Sequence, residues 1–165
     1  MGFPIFGSTG TTYINREKAF HGVTLYTTFG SERTNLIDLE GNVVHTWSPP
    51  APLKPYYGFM RDNGNLSLRC QSGEEKWQFG GASATIVELD WESNVIWRYD
   101  NPVIHHDHEI LLNGNTMVFG WEPLATEISA KIKGGSIAPG EDDHEVLSDY
   151  LQELAPDGST VWEWL

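Results

Sequence analysis

Three copies of a strand–turn–strand pattern constrain the fold of this chain more than any other feature of its sequence. The copies span residues 36–47, 86–97 and 151–162, and each ends in tryptophan. In each copy, two short apolar runs flank a turn rich in Gly, Asn, Asp or Ser, residue types that tolerate the positive φ of tight turns. Each copy is therefore predicted to form a β-hairpin.

A second hairpin pattern recurs at a fixed distance from the first. Asn-Gly lies between apolar runs at 61–68 and again at 111–118, which begin 50 residues apart. This dipeptide is one of the strongest short-range signals for a hairpin. Asp38 and Glu88 are also 50 residues apart, whereas Glu88 and Glu153 are 65 apart.

Two hairpins in about 50 residues form a four-stranded unit, the size of a β-propeller blade. A β-sandwich with regularly spaced turns is the rival fold, and the fixed register of two distinct hairpins favours the propeller. We therefore predict an all-β, propeller-like fold of about three four-stranded blades. Since propellers usually close with about four to eight blades, the chain is predicted to be part of a propeller or to complete a ring as a homo-oligomer.

The predicted domain organisation is a single partial propeller domain over residues 1–165, with a lead-in at 1–21. The longer spacing before Glu153 predicts an insertion at about 122–144, in the third blade. The three blades are predicted at about 22–55, 56–104 and 105–165.

Composition and charge exclude several classes of function. The 165 residues carry 10 Lys and Arg against 23 Asp and Glu, a formal net charge of −13. Because such a field repels phosphate backbones and anionic lipid, we expect no nucleic-acid and no membrane partner. No apolar run approaches the roughly 20 residues of a membrane span, and the N-terminal sequence lacks the features of a signal peptide. The single cysteine, Cys70, excludes an internal disulfide and a cysteine-based zinc site.

The run His105–Glu109 holds the densest set of reactive side chains. In a regular strand, alternation would place His106 and His108 on one face and His105 and Asp107 on the other. The run directly precedes an Asn-Gly hairpin, so it is predicted on or near the innermost strand of its blade. The histidines could act there as nucleophiles or anion-binding groups. They could instead hydrogen-bond a neighbouring blade, with Asp107 fixing a tautomer or capping a turn.

Other candidate residues are less informative. Two histidines with Asp107 or Glu109 have the residue types of a metal site, but no distant third ligand is identifiable, so no metal and no cofactor is predicted. Arg61, Arg69 and Arg98 are open either to an anion-binding role or to pairing with the surplus carboxylates. The tryptophans that end the hairpins are expected to fill interfaces between neighbouring sheets.

Four segments together resemble one known family. They are Thr9–Tyr13, Lys18–Tyr26, the 36–47 hairpin with its Val-Val-His-x-Trp end, and His105–Thr116, where His-His-Asp precedes Asn-Gly-Asn. These segments resemble the bacterial arylsulfate sulfotransferase family, along nearly the whole chain. The resemblance implies a six-bladed propeller, of which this chain corresponds to the amino-terminal half. It also implies an extracytoplasmic location, which the lack of a signal peptide opposes, so the localisation stays open.

The same resemblance implies a reaction and a site. Members of the family transfer a sulfuryl group from a phenolic sulfate to another phenol through a transient sulfohistidine, with no nucleotide donor. Because the sulfated histidine of the family lies in the later blades, the resemblance implies that His106, and then His105, bind or activate the sulfate. Tyr56 and Tyr57, the matching residues of the preceding blade, and Asp107 are the predicted substrate-binding residues. Ordinary packing between blades is the alternative for the two tyrosines.

The alternative prediction of function is a non-catalytic binding or assembly module. An open propeller fragment leaves unpaired strand edges, and such edges favour self-association. On this hypothesis two copies of the chain complete the ring.

Overall fold

Strands in three antiparallel sheets dominate the residues that the structure, a computed structural model, describes: 11–132 and 146–165. The all-β prediction is therefore confirmed. One short helix, α1 (Thr126–Ser129), follows β9. The strands, in chain order, are β1 (Thr24–Thr27), β2 (Thr34–Ile37), β3 (Val43–Trp47), β4 (Lys54–Met60), β5 (Leu66–Gln71), β6 (Thr85–Leu89), β7 (Val95–Asp100), β8 (Ile104–Ile110), β9 (Thr116–Pro123), β10 (Leu147–Leu154) and β11 (Thr160–Trp164).

Each sheet is built from strands that are consecutive in sequence. The first sheet has the order β1-β2-β3, the second β4-β5-β6-β7 and the third β8-β9-β10-β11. Antiparallel neighbours need only a tight turn between them, so the repeated hairpin sequences are sufficient to specify these sheets. Of the four strands predicted for each repeat, the first sheet contains three among the described residues. The predicted insertion includes α1, and its part from residue 133 onward lies outside the described residues.

The Asn-Gly hairpins close as their sequence predicts. Gly64 N donates to Arg61 O, and Gly114 N donates to Leu111 O, both at 2.9 Å. Both glycines have φ near +85°, a conformation that a residue without a Cβ adopts at no steric cost. The first turn joins β4 to β5 and the second joins β8 to β9.

Two of the other turns are closed by a side-chain carboxylate. Asp38 accepts hydrogen bonds from both the backbone and the side-chain amide of Asn42, at 2.8 and 2.9 Å. Asp90 accepts the same pair from Asn94, at 2.7 and 2.8 Å. These bonds satisfy turn amides that no strand partner reaches.

The alignment of the repeats by sequence pairs Asp38 with Glu88. The hydrogen bonds of the turns show that this alignment is wrong. By turn geometry Asp38 corresponds to Asp90, two residues further along. A shift of two residues leaves every side chain on the same face of a strand, so alternation alone could not detect it. The corresponding positions are Asp38, Asp90 and Ala155 at the start of each turn and, nine residues later, Trp47, Tyr99 and Trp164.

The chain divides into two compact units. The first comprises Met1–Gln71 and Ile86–Arg98, and the second comprises Ser72–Thr85 and Tyr99–Leu165. A single hydrophobic cluster forms the core of the first unit. Its buried members are Leu36, Trp47, Leu53, Leu66, Leu68, Cys70, Val87 and Leu89.

Burial makes the one thiol of the chain unreactive. Cys70 is fully buried, and removal from water raises its pKa to about 12. The thiolate form that oxidises or attacks electrophiles is therefore essentially absent near neutral pH.

In the second unit the buried apolar residues are Ala82, Ala84, Ile104, Val118, Tyr150 and Leu154. Among the described residues, no helix is long and apolar enough to cross a membrane.

The packing of Tyr150 on Gly120 predicts a sharp mutational effect. The two residues face each other in the β9–β10 ladder, and a Cβ on Gly120 would overlap the Tyr150 ring. We expect Gly120→Ala to lower the free energy of unfolding by about 1–3 kcal/mol or more, as overpacking does in well-packed sites. Chemical denaturation measures this. Gly80→Ala is the matched control, because Gly80 has no heavy atom within 4 Å of the added Cβ. Equal stability of the two variants would contradict the packing.

The Asp90–Asn94 turn predicts a pH dependence of stability. The side-chain hydrogen bond from Asn94 is the main cause that holds the pKa of Asp90 below its ordinary value of 3.8. A lowered folded-state pKa stabilises the fold above the unfolded-state pKa, and this contribution disappears as the pH falls through the folded value. We therefore expect Asp90→Ala to destabilise the protein near neutral pH, with a deficit that shrinks below pH 3.8.

Denaturation midpoints across this pH range measure the effect. Glu92→Ala, which removes an exposed carboxylate from the same turn, is the control and should show no comparable change. A deficit for Asp90→Ala that stays constant down to the acid limit would refute the assignment.

Candidate functional site

A β-bulge in β8 brings the predicted histidines together. Ile104 pairs with Gly120 and His108 pairs with Val118, so three residues of β8 oppose only one residue of β9. Inside this bulge His106 adopts φ +54°, the left-handed region that non-glycine residues rarely occupy. Bulges often redirect side chains next to functional sites. Here the bulge determines which histidines face solvent.

The bulge overturns the predicted alternation of side chains. His105 and His108 are buried, at 3% and 2% exposure. His106 and Asp107 are exposed. The expectation that His106 and His108 share one face is wrong, because the left-handed residue breaks the period of two.

The two neighbouring histidines contact each other directly. The Nδ1 atoms of His105 and His106 lie 2.9 Å apart, at hydrogen-bond distance, and the rings are nearly perpendicular. Nε2 of His105, at the far side of its ring, lies 3.3 Å from a carboxylate oxygen of Asp149 on β10. Three titratable side chains therefore form a chain from Asp149, through a buried imidazole, to an exposed imidazole.

Aromatic rings surround the histidine pair. The His105 ring stacks on Trp121, with centroids 4.1 Å apart and planes 20° apart. Trp121 also contacts Phe79 edge-on at 5.8 Å, and lies 6.1 Å from His106. Phe79 is 59% exposed. The exposed imidazole therefore lies beside an accessible aromatic surface.

The backbone at Gly81 packs against the His106 ring. Gly81 has φ +88°, and a Cβ there would come within 2.6 Å of Cε1 and Nε2 of the His106 ring and 2.8 Å of its Cδ2. Such similar distances to three ring atoms place the Cβ against the face of the imidazole. The backbone amide of His106 also donates to Gly81 O at 2.9 Å. A side chain at this position would displace the histidine.

Asp107 has a local role in the structure. Its carboxylate accepts a hydrogen bond from the backbone amide of His108 at 2.8 Å, within the bulge. The carboxylate beside His105 is that of Asp149 instead. The interpretations of Asp107 as the group that fixes a histidine tautomer and as a turn cap both stay predictions. Its predicted role in substrate binding stays a prediction.

Tyr56 and Tyr57 lie in the first unit, at a bulge of β4. Pro55 pairs with Cys70 and Tyr57 with Arg69, so Tyr56 is the additional residue. Its ring meets Phe29 edge-on at 5.5 Å and carries the Arg69 guanidinium at 4.6 Å from its centroid, in cation–π geometry. The predicted site residues thus fall in two units, with the histidines and Asp107 in the second.

Two of the candidate arginines, Arg61 and Arg69, differ in their surroundings. Arg69 is 1% exposed, so it is a buried residue and not a surface one. Arg61 forms an ion pair with Glu88, which also accepts a hydrogen bond from Asn65 at 2.5 Å. No arginine occurs in the sequence of the second unit. Within the described residues, no group of three or more His, Cys, Asp or Glu side chains is arranged to hold a metal ion.

Comparison with known proteins bears on the fold only. No family model and no curated protein matches the sequence. Among solved structures, a protein of unknown function from Bacteroides caccae is similar, with a TM-score of 0.50 and 18% identity over 86% of this chain. The chain spans 45% of the length of that protein. At this identity the similarity concerns the fold and no activity.

The contact between Gly81 and His106 predicts a difference between two glycine substitutions. Gly73 has φ +89° and open space around it, whereas Gly81 has φ +88° and the His106 ring against it. Gly73→Ala therefore introduces only backbone strain, of about 1–2 kcal/mol. We expect Gly81→Ala to cost at least about 1 kcal/mol more and to shift the His106 imidazole NMR resonances, which Gly73→Ala should leave in place. Unchanged His106 resonances in both variants would rule out the contact.

Proposed function

We propose that this chain carries a histidine-based transfer site of the arylsulfate sulfotransferase kind, which moves a sulfuryl group from a phenolic sulfate to a phenol. The observation that carries the proposal is the arrangement of three side chains, in which Asp149 lies 3.3 Å from the buried His105 and His105 contacts the exposed imidazole of His106. The resemblance of the sequence to that family supports the choice of sulfuryl among possible transferred groups. The first candidate residue is His106, with His105 behind it.

The fold proposed for this function is a propeller, of which the three sheets are blades. Its support is the arrangement of each sheet as a meander of consecutive antiparallel strands. The recurrence of a bulge in β4 at Tyr56 and in β8 at His106, two positions that the 50-residue register equates, adds to that support.

In the proposed site, the charge of the Asp149 carboxylate sets the direction of the hydrogen bond between the two histidines. Its negative charge favours a proton on Nε2 of His105, which leaves Nδ1 of His105 as an acceptor. His106 then donates from its own Nδ1 and keeps the lone pair of its Nε2. An unprotonated nitrogen on an exposed imidazole is the group that nucleophilic catalysis at sulfur requires.

The proposed reaction has two balanced steps. In the first, the Nε2 lone pair of His106 forms an N–S bond, while the S–O(aryl) bond breaks and its electron pair leaves with the phenolate. The positive charge on His106 is shared through its Nδ1 proton with His105 and is balanced by Asp149. In the second step the oxygen of the acceptor phenol attacks sulfur, the N–S bond breaks, and the phenolic proton goes to the departed phenolate.

The surroundings of His106 suit an aromatic substrate. Phe79 and Trp121 offer ring edges and faces against which a phenyl group would stack or pack edge-on. The substrate-binding roles of Tyr56 and Tyr57, which lie in the first unit, stay predictions. Because no arginine occurs in the sequence of the second unit, no guanidinium of that unit is available to the sulfate. The resemblance implies a nucleophile in the later blades, whereas the proposal gives His106 that role as well as binding, because its Nε2 is the unprotonated nitrogen of an exposed imidazole.

Release of nitrophenol from 4-nitrophenyl sulfate, with and without added phenol, tests this function. We expect phenol-dependent release that falls by about a thousandfold or more in His106→Ala. Asp149→Asn should cause a smaller loss, on the order of a hundredfold, together with a changed pH profile, because Asp149 is a positioning residue. Intact-mass analysis without acceptor should show one added SO3 group on the wild type and none on His106→Ala.

Two variants serve as controls for this experiment. His21→Ala removes an exposed histidine and Asp62→Asn an exposed carboxylate, both outside the proposed site, and both should retain wild-type rates. Release that does not depend on phenol would indicate a sulfatase-like reaction instead. Absence of release, or full activity in His106→Ala, would refute the proposal.

A further inference from the structure

The negative charge of the chain is concentrated in the second unit. The sequence of the first unit contains 7 Lys and Arg against 8 Asp and Glu, whereas that of the second contains 3 Lys, no Arg and 15 Asp and Glu. Almost the whole net charge of −13 therefore belongs to the unit that contains the histidine pair. A field of this sign raises the local concentration of cations and lowers that of anions.

One of these carboxylates lies at the histidine pair itself. Oδ1 of Asp149 lies 3.3 Å from Nε2 of His105. Its other oxygen, Oδ2, takes part in no hydrogen bond or ion pair within residues 11–132 and 146–165. Since an ionised carboxylate offers about four lone-pair sites on its two oxygens, Asp149 can contact His105 and still accept a donor from a ligand.

An aromatic ring lies directly beside this carboxylate. Asp149 and Trp121 face each other in the β9–β10 ladder, and the side chains of such a pair lie on one face of the sheet, with Cβ atoms about 4.5–5.5 Å apart. Phe79 adds a second ring, edge-on to Trp121. Aromatic faces attract cations through the ring quadrupole, and indole does so most strongly. The rings and the carboxylate therefore favour a ligand of the same charge.

The lysines of the second unit do not neutralise this carboxylate. Nζ of Lys76 lies over the Trp77 ring, 4.1 Å from its centroid. In the part of the second unit that the structure describes, neither Lys76 nor Lys131 forms an ion pair with Asp149. The third lysine, Lys133, lies outside the described residues. The charge of Asp149 is therefore available to a positively charged group on a ligand.

We propose that the substrates of this site are phenols, and sulfate esters of phenols, whose ring carries an ammonium group; this inference rests on the proposed function. In the proposed mode of binding, the ammonium group donates to Oδ2 of Asp149 and lies against the Trp121 indole. The phenyl ring packs on Phe79. The phenolic oxygen or its sulfate then approaches Nε2 of His106.

The charge of the sulfate group makes the substrate class matter. An aryl sulfate brings one negative charge to a unit that already has a large excess of carboxylates. An ammonium group on the same molecule cancels that charge, and Asp149 then attracts the substrate instead of repelling it. A substrate with an additional carboxylate would be repelled more strongly than phenyl sulfate itself. The site therefore discriminates by the charge of the aryl group.

Three phenols that differ in one group test the inference by binding alone. They are 4-(2-aminoethyl)phenol, 4-ethylphenol and 4-hydroxyphenylacetate, titrated without a sulfate donor and followed by the imidazole NMR resonances of His106. In about 20 mM salt we expect the ammonium compound to bind about fivefold or more tightly than 4-ethylphenol, and 4-hydroxyphenylacetate to bind weakest. In about 0.5 M salt these differences should shrink, because salt screens charges at a solvated site.

Two variants separate the local charge from the net charge of the protein. Asp149→Asn removes the charge at the site and keeps the size of the side chain, so we expect the ammonium compound to lose most of its advantage over 4-ethylphenol. Asp62→Asn removes the same amount of charge from an exposed position in the first unit. This control should keep the preference at its wild-type size.

The binding measurement and the transfer assay distinguish failure of this inference from failure of the proposed function. Equal binding of the three phenols, tightest binding of 4-hydroxyphenylacetate, or no binding of the ammonium compound would overturn the inference, whether or not sulfuryl transfer is observed. A preference that Asp149→Asn retains in full would also overturn it. An ammonium preference that depends on Asp149, found together with no transfer, would support the charge selection and refute the reaction.

Discussion

The hydrogen-bonded hairpin turn is the constraint on which the rest of this structure depends. Every described sheet is a meander, so each strand finds its partner through a turn of a few residues. In two of these turns the carboxylate at the first position, Asp38 or Asp90, bonds the asparagine that ends the turn. The turns also serve as docking surfaces: the carbonyl of Asp90 receives the indole of Trp47. A turn that closes one hairpin thus determines where the preceding strand end is buried.

The candidate site lies where a bulge interrupts the regular pairing of β8 with β9. A strand of strict period two would present His106 and His108 on the same face, and His105 on the other. The bulge instead buries His105 against Trp121 and turns His106 outward over Gly81. The left-handed His106 makes a backbone hydrogen bond to Gly81 and contacts His105. Two side chains that are adjacent in sequence thereby reach hydrogen-bond distance, which a flat strand would not permit.

Local sequence signals predicted the hairpins. The same signals could not predict which side chains come together in the candidate site. Asn-Gly dipeptides and alternating apolar runs act over a few residues, so the strands and the all-β class followed from the sequence. The candidate residues His105 and His106 were visible in the sequence as part of a cluster of reactive side chains. Asp149 was not visible, because it reaches His105 only through the pairing of β10 with β9, in which it faces Trp121.

For the same reason, the contacts of some glycine and aromatic residues could not be predicted from the sequence. Gly81 has no signal in the chain that links it to His106, since a loop glycine with positive φ resembles many others. The equivalence of Trp47 with Tyr99 rather than Trp97 was hidden because a shift of two residues keeps the apolar pattern. Only the hydrogen bonds of the turns distinguish the two alignments.

Burial of the middle residue is what couples the two ends of the histidine chain. Asp149 is 65% exposed and would, on its own, interact weakly with a second exposed group through water. His105 is 4% exposed in its side chain, so solvent screens this contact from the Asp149 end only. The position of a proton on His105 then decides whether His106 donates or accepts through Nδ1. In the proposed function, a change at Asp149 acts on the exposed imidazole through one buried ring, which stacks on Trp121.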